Sequence, residues 1–229
     1  MKLSSVNIIE VSSLCDNKCA YCPAPIQHQW RPTGNMTLET FERAVDWVRY
    51  FVNQRTQTDL NLHGIGEPTL NPHLVEMISL ARNATPGIIN FNTNGNSMTE
   101  ELALACKDAG ITSINVTGHN AESTMVATRA IRRVGLKCDV NQDFAVTPNN
   151  WADQITWTDR VDYSLWCRWL DLGWVMVMWD GRVTRCCLDA KGRGVFADVR
   201  SGGLPFFLDN KPFGLCIACH HFSTVGPSA

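Results

Sequence analysis

Short apolar, β-branched runs alternate with longer amphipathic segments through the first two-thirds of the chain. The strands predicted from these runs are Val6–Val11, Leu60–His63, Ile88–Asn92, Ser113–Thr117, Leu136–Val146 and Val161–Leu165. Segments in which apolar residues recur every three to four positions predict helices over Leu38–Phe51, Pro72–Ala84, Thr99–Ala109 and Ser123–Val134. This order is typical of an α/β fold in which crossover helices join parallel strands, either open or curled into a partial barrel.

The residues that flank these segments support the predicted boundaries. Thr37 precedes the first helix as an N-cap, and Asn71 before Pro72 predicts a second cap with proline at the first helical position. Gly110 and Gly135 follow helices where a left-handed residue is favoured. In parallel α/β barrels the loops at the carboxyl ends of the strands carry the chemistry, so we expect the functional residues there.

The pattern changes near Pro148, after which tryptophans and cysteines become frequent. The stretch WVMVMWDGRVTRC predicts a β-hairpin that turns at Asp180-Gly181. We therefore predict two domains, a barrel over residues 1–150 and a smaller module over residues 151–229. The run at 161–165 is a candidate sixth barrel strand.

Composition narrows the class of protein. The 229 residues are 45% hydrophobic and 18% charged, with a formal net charge of −2, as in globular proteins with a sizeable core. The sequence shows no run of Lys or Arg that would predict nucleic-acid binding, and we predict neither a signal peptide nor a membrane span from it. We expect a cytoplasmic protein, in which ten cysteines point to metal or redox chemistry and not to disulfides.

Three of these cysteines, Cys15, Cys19 and Cys22, lie in the eight-residue loop CDNKCAYC. A [4Fe–4S] cube has four irons that each need an outer ligand, and cysteine thiolate is the usual one. Three thiolates on one loop would hold three corners and leave the fourth iron open to a ligand. The alternative is a structural zinc loop, which normally needs a fourth ligand at the same site.

The spacing Cys15-x3-Cys19-x2-Cys22, with Tyr21 before the last cysteine, resembles the radical SAM superfamily. The resemblance implies that the open iron binds S-adenosylmethionine, which is cleaved by one-electron reduction to a 5′-deoxyadenosyl radical that abstracts hydrogen from a substrate. It also implies an external electron donor such as flavodoxin or ferredoxin. Tyr21 would pack near the adenine.

Two further stretches agree with this family in order and position. LHGIGEPTL, residues 62–70, resembles its Gly-Glu-Pro motif, whose glycines would let the backbone approach the methionine amino group. FNTNGN, residues 91–96, resembles its Thr-Asn-Gly segment. Besides Tyr21, the implied cofactor-binding residues are Gly64, Gly66, Glu67, Pro68, Thr93, Asn94, Asn115 and Asn141.

A second group of cysteines lies in the C-terminal module. Cys167, Cys186, Cys216 and Cys219 resemble the ligands of an auxiliary [4Fe–4S] cluster in the SPASM/twitch extension, with Cys187 as an alternative to its neighbour. A zinc ribbon is the other interpretation, since His220 and His221 follow the last cysteine. The implied fold is a partial (β/α)6 TIM-type barrel with a small C-terminal α+β twitch module, similar in layout to the 2-deoxy-scyllo-inosamine dehydrogenases.

The resemblance implies hydrogen abstraction from a small polar substrate, as part of an oxidation assisted by the auxiliary cluster. One alternative is a redox-neutral isomerase or epimerase acting on a sugar or nucleotide, for which Cys187 is a conceivable hydrogen donor. Others are a peptide-modifying maturase with a separate recognition partner, and a non-catalytic iron–sulfur or zinc protein. The motifs identify cofactors and leave the substrate open.

The remaining candidates follow from position alone. His63 and His119 end strands and are candidate proton carriers. His28, Trp30 and Arg31 follow the cysteine loop and would line the mouth of the site. Cys106 and Cys138 lie in apolar surroundings and are predicted to be core thiols.

Overall fold

The computed structural model describes residues 2–141 and 167–204, together with residues 213, 215, 216 and 219. The predicted alternation of strands and helices is confirmed, with boundaries shifted by a few residues. The strands are β1 (Ser5–Ile9), β2 (Leu60–Asn61), β3 (Ile89–Thr93), β4 (Ser113–Thr117), β5 (Val140–Asn141), β6 (Trp174–Val177), β7 (Arg182–Thr184) and β8 (Val195–Asp198). The helices are α1 (Leu38–Asn53), α2 (Leu74–Ala84), α3 (Glu100–Asp108), α4 (Ala121–Arg133) and α5 (Arg168–Asp171).

The strands form one sheet in the order β5-β4-β3-β2-β1-β6-β7-β8. Strands β1 to β5 are parallel neighbours in chain order, and helices α1 to α4 make the crossovers between them. The chain is therefore a mixed α/β protein with a partial TIM-type barrel, and the carboxyl ends of β1 to β5 meet at one edge.

The hairpin predicted at Asp180-Gly181 is confirmed. Strands β6 and β7 pair antiparallel, and Gly181 adopts a φ of 89°, which a residue with a side chain rarely adopts. Strand β6 also pairs parallel with β1, so the hairpin continues the barrel sheet on the side of β1 away from β2. The domain division at residue 150 stays a prediction, and the candidate strand at 161–165 lies outside the described residues.

Helix α2 begins at Leu74, two residues later than predicted. The Asn71 carboxamide bonds in both directions: its Oδ1 accepts from the His73 N–H at 2.9 Å, directly before the helix, and its Nδ2 donates to the carbonyl oxygens of Val11 and Met36 at 2.7 and 3.0 Å. Asn71 thus ties the segment before α2 to the end of β1. The strand predicted at Leu136–Val146 is described only as Val140–Asn141, and residues beyond 141 lie outside the described part.

The two faces of the central strands have different chemistry. In β3, Ile89 and Phe91 are buried and face the core with α1 to α4, whereas Asn90 and Asn92 are half-buried on the other face. Strand β4 repeats this alternation. Cys106 and Cys138 are buried in the apolar core, as predicted. Among the described residues, no helix is long and apolar enough to cross a membrane.

Candidate active site

A cavity of about 330 Å³ lies at the carboxyl ends of β1 to β4. Loops that are distant in sequence bring most of the predicted site residues to its wall, whereas Pro68, Asn115 and Asn141 do not line it. The predicted residues that line it are Cys15, Cys19, Cys22, Tyr21, His63, Gly64, Gly66, Glu67, Thr93, Asn94, His119 and Cys187.

The cysteine loop is held in place by the loop that follows β3. Asn94 Nδ2 donates to Asp16 Oδ1 at 2.6 Å, and Asn96 Nδ2 donates to Asp16 Oδ2 and Asn17 Oδ1 at 3.0 Å each. Sequence reasoning missed Asp16 and Asn96, although an acidic residue between two candidate ligands and a second asparagine in FNTNGN were visible signals. These contacts fix the loop on which the three cysteines stand.

His119, two residues beyond β4, meets the cysteine loop from the opposite side. Its Nδ1 lies 2.5 Å from the Tyr21 hydroxyl and 3.8 Å from Cys19 Sγ. Burial lowers the pKa of His119 and raises that of Tyr21, so that both side chains are held in their neutral forms. His119 therefore orients Tyr21, and its role as a proton carrier stays a prediction.

The Glu67 carboxylate joins the Gly-Glu-Pro loop to the loop after β3. It accepts hydrogen bonds from the Thr69 N–H and hydroxyl at 3.2 and 2.8 Å, from the Thr93 hydroxyl at 2.7 Å and from the Asn94 N–H at 2.7 Å. Burial raises the pKa of Glu67, and these four donors oppose that shift. Glu67 is thus a positioning residue in this structure.

The glycines of the Gly-Glu-Pro loop make close approaches to the chain itself. A Cβ on Gly66 would lie 2.4 Å from the Ser12 carbonyl oxygen and 2.5 Å from the Ser13 carbonyl carbon. A Cβ on Gly64 would lie 2.6 Å from Glu10 Cγ. Close packing on the start of the cysteine loop is therefore one reason for glycine here, and the predicted approach to methionine remains a prediction.

Gly66→Ala is expected to displace the cysteine loop, because the added methyl group meets backbone atoms that cannot rotate away. We expect a loss of about 1–3 kcal/mol in the free energy of unfolding and a lower iron content after reconstitution. Chemical denaturation and iron analysis measure both. Gly87→Ala is the control, since its Cβ would lie 3.2 Å from the Thr85 hydroxyl and 3.9 Å from the Thr58 carbonyl oxygen, with no closer contact. Wild-type iron content in Gly66→Ala would contradict the expectation.

A buried ion pair lies directly beneath these loops. Arg31 donates to Glu10 through Nη1 and Nη2 at 2.8 and 2.7 Å, and both side chains are almost fully buried. Glu10 also accepts from the N–H groups of Ile65 and Trp179, at 3.2 and 3.3 Å. The expectation that Arg31 lines the site mouth is wrong, because its guanidinium is used to tie the cysteine segment to β1 and the hairpin.

Arg31→Met is expected to lower the free energy of unfolding by about 3–5 kcal/mol, because it leaves the Glu10 carboxylate buried without its cation. Chemical denaturation measures the loss. Arg49→Met is the matched control, since Arg49 pairs with Asp46 on the surface and contributes about 0–1 kcal/mol. An equally small effect at both positions would contradict this assignment.

A second, much smaller cavity lies among the other predicted ligands. Cys167, Cys186, Cys216 and Cys219 all line it, and their apolar neighbours are Leu170, Leu215 and Phe213. Burial, with a smaller contribution from the nearby thiols of Cys186 and Cys167, raises the pKa of Cys216 to about 11. Trp169 and Arg185 also line this cavity. Sulfur donors of this kind are the usual ligands of iron–sulfur clusters and of zinc, but no three of them, among the described residues, are placed to hold one metal ion.

Cys186 and Cys187 are adjacent in sequence but line different cavities. Cys186 lines the smaller one, and Cys187 lines the larger one beside the cysteine loop. The segment after them is fixed by the buried Asp189, which accepts hydrogen bonds from the Thr184 hydroxyl and the Gly194 N–H at 2.7 Å each. One peptide bond therefore connects the walls of the two cavities.

The donor set of the larger cavity fits a cationic iron–sulfur core. Burial, together with the smaller effect of the Cys15 and Cys19 charges, raises the pKa of Cys22 to about 12. Three thiolates this close need positive charge beside them, and no Lys or Arg among the described residues lines the cavity. Nor do any three His, Cys, Asp or Glu side chains in the described ranges form a group able to hold a single metal ion.

The model of the Radical SAM superfamily matches residues 9–139, which is more than half of the chain. The chain therefore belongs to the radical SAM superfamily, whose enzymes use a [4Fe–4S] cluster and S-adenosylmethionine. No curated protein matches its sequence.

Solved structures show the same fold at low sequence identity. BtrN, a radical SAM dehydrogenase solved with AdoMet and 2-DOIA, aligns with a TM-score of 0.71 and 20% identity over 88% of this chain and 80% of its own. The native anSMEcpe structure with bound AdoMet aligns with a TM-score of 0.61 and 12% identity over 86% of this chain and 79% of its own. The likeness in fold extends beyond the residues that the family model matches.

Proposed function

We propose that this enzyme oxidises a small polar substrate in the larger cavity and passes one electron to a second [4Fe–4S] cluster in the smaller one. Cys15, Cys19 and Cys22 would hold the first cluster, which with S-adenosylmethionine supplies the radical that abstracts a hydrogen atom. Cys167, Cys186, Cys216 and Cys219 would hold the second. The observation that carries the proposal is that these seven cysteines line two separate cavities.

The chain's own residues would keep the first site ordered. Asp16 and Glu67 fix the cysteine loop and its neighbour through hydrogen bonds that need no ligand. The Gly64–Gly66 loop packs closely against Glu10 and the start of the cysteine loop. A preorganised wall suits radical chemistry because it holds the reacting groups in position.

Oxidation of an alcohol fits two adjacent sites. Loss of a carbinol hydrogen atom to the radical leaves a carbon radical; loss of the hydroxyl proton and of one electron then gives the carbonyl. The short connection between Cys187 and Cys186 supports the second cluster as the acceptor of that electron. We further propose flavodoxin or ferredoxin as the donor to the first cluster, and a cytoplasmic location.

The test is to incubate the reconstituted enzyme with S-adenosylmethionine, dithionite and a panel of aminocyclitols and sugars. Turnover forms 5′-deoxyadenosine, and an oxidised product is lighter than its substrate by two hydrogens. A product of that mass supports the proposal. A product of unchanged mass contradicts net oxidation.

A redox-neutral epimerase is the second candidate, and the position of Cys187 favours it. Its thiol lines the same cavity as the first three cysteines, so it could give a hydrogen atom to a substrate radical; one electron from the external donor and one proton from solvent would then convert the resulting thiyl radical back to the thiol. In D₂O the thiol exchanges, and the product would carry one deuterium. Cys187→Ser would then stop epimerisation, whereas the oxidation proposal does not need this thiol. A maturase with a separate partner stays an untested alternative.

A further inference from the structure

A half-buried arginine, Arg185, lines the smaller cavity. It directly precedes Cys186, and its guanidinium carbon lies 4.4 Å from the centroid of the Phe213 ring. Burial raises the pKa of Cys216, and the guanidinium is close enough for its charge to oppose that rise. No other Lys or Arg among the described residues lines the smaller or the larger cavity. The smaller cavity therefore has a positive charge beside its cysteines.

Trp169 adds a hydrogen-bond donor at the same cavity. It lies on α5, and its indole Nε1 is buried without a hydrogen-bond partner among the described residues. Its ring packs edge-on against Trp174 of β6, with the ring centroids 5.5 Å apart, which holds the indole in place. An unpaired buried N–H is unfavourable, so this position calls for an acceptor in the cavity.

Sulfur is the acceptor that both groups fit. Hydrogen bonds to the sulfurs of a [4Fe–4S] cluster, together with its net charge, help to set its reduction potential. A cluster becomes more negative when it gains an electron, so a cation or an N–H donor beside it stabilises the reduced form more than the oxidised form. The groups at the smaller cavity thus suit a cluster that accepts an electron.

Backbone N–H groups also donate to cysteine sulfurs, but they do so at both cavities. The Leu188 N–H donates to Cys186 Sγ at 3.4 Å, and the Ala24 N–H donates to Cys22 Sγ at 3.5 Å. Within the described part of the chain, the guanidinium and the indole N–H have no counterpart on the wall of the larger cavity. These two side chains therefore distinguish the smaller cavity.

We propose that Arg185 and Trp169 raise the reduction potential of the cluster in the smaller cavity, and so make it a better acceptor of the electron that the substrate radical gives up. The inference rests on the proposed function, in which the four cysteines of this cavity hold that cluster. Neither side chain lines the larger cavity. They are positioning residues that act on the potential and not on S-adenosylmethionine cleavage.

The experiment is a redox titration of the reconstituted protein, monitored by electron paramagnetic resonance at the signal that Cys216→Ala removes. Arg185→Met should shift the one-electron equilibrium of this cluster toward the oxidised form by about 10-fold or more, which lowers the potential by about 59 mV. Arg185→Lys, which retains the charge, should shift it less. Trp169→Phe keeps an aromatic ring but loses the N–H, so the potential should fall while the iron content stays at about eight per chain.

Arg168→Met and Trp174→Phe are the matched controls. Arg168 is exposed beside Cys167, and Trp174 packs against Trp169, but neither lines the cavity. Both variants should retain the wild-type potential. If Arg185→Met loses iron, the potentials of Arg185→Lys and Trp169→Phe decide the question.

Wild-type potentials in both Arg185→Met and Trp169→Phe would overturn the inference, as would an equal shift in the two controls. Product mass is measured on the same samples. Unchanged potentials in an enzyme that forms oxidised product would contradict the roles of these two residues alone. Lowered potentials in an enzyme whose product keeps the mass of its substrate would contradict net oxidation and leave the roles standing. A wild-type protein with one signal and one zinc would contradict both.

Discussion

Replacing Cys15, Cys19 or Cys22 by Ala is expected to abolish S-adenosylmethionine cleavage. Each thiolate would hold one iron of the first cluster, and two remaining thiolates on a loop cannot keep a cube intact. The cleavage rate should fall by more than the roughly 10- to 100-fold that is typical when a residue supporting a metal ligand is removed. Formation of 5′-deoxyadenosine with dithionite, measured by chromatography, gives the rate without requiring a substrate.

Cys138→Ala is the matched control for these variants. Cys138 is also a free cysteine, but it is buried in the apolar core and lines neither cavity. It should retain wild-type iron content and cleavage after correction for any unfolded fraction. Undiminished cleavage in the Cys22→Ala protein would exclude this loop as the cluster site.

Replacing Cys216 or Cys219 by Ala is expected to separate cleavage from product formation. The first site keeps its three cysteines, so 5′-deoxyadenosine still forms. The substrate radical then lacks its electron acceptor, and oxidised product should fall to background. Iron should drop from about eight to about four per chain, the content of one cube. Electron paramagnetic resonance of the reduced protein should lose one of two signals.

Cys187→Ser is the control for this pair and also tests the assignment of Cys186. Since Cys187 lines the other cavity, its replacement should leave about eight irons per chain. Cys186→Ser should instead reduce the iron content as Cys216→Ala does. Full product formation by the Cys216→Ala protein would refute the role of the second cluster. Loss of iron in Cys187→Ser, with wild-type iron in Cys186→Ser, would mean that Cys187 and not Cys186 is the ligand.

Local signals in the sequence predicted the fold well. The β-branched runs and the turn at Asp180-Gly181 depend on short-range chemistry, and their elements appear where expected. The pairing of β6 with β1 was not predicted, because a strand's neighbours depend on contacts between segments far apart in the chain. Asn71 combines both kinds of contact: its Oδ1 accepts from the nearby His73 N–H, as a cap would, whereas the bonds from its Nδ2 to the carbonyl oxygens of Val11 and Met36 were not predicted.

In the site, too, the sequence predicted features that depend on nearby residues and missed those that depend on contacts between distant segments. Cysteine spacing predicted which residues gather, and the structure brings them to two cavities. Glu10 and Asp16 were not predicted, because each acts through residues far away in the sequence. Glu10 pairs with Arg31, about 20 residues away, and Asp16 accepts from Asn94 and Asn96, about 80 residues away. In the structure Cys186 and Cys187 line different cavities although their thiols contact each other, and the choice of Cys186 as the ligand stays a prediction.

The iron, sulfide and zinc content of anaerobically purified and reconstituted protein tests the two-cluster proposal most directly. We predict about eight irons and eight sulfides per chain with no zinc, as two cubes require. About four irons with one zinc would contradict the second cluster and leave the C-terminal cysteines as a structural zinc site. Radical chemistry would then remain, but the electron acceptor that net oxidation needs would be missing, and the epimerase would be the better-supported function.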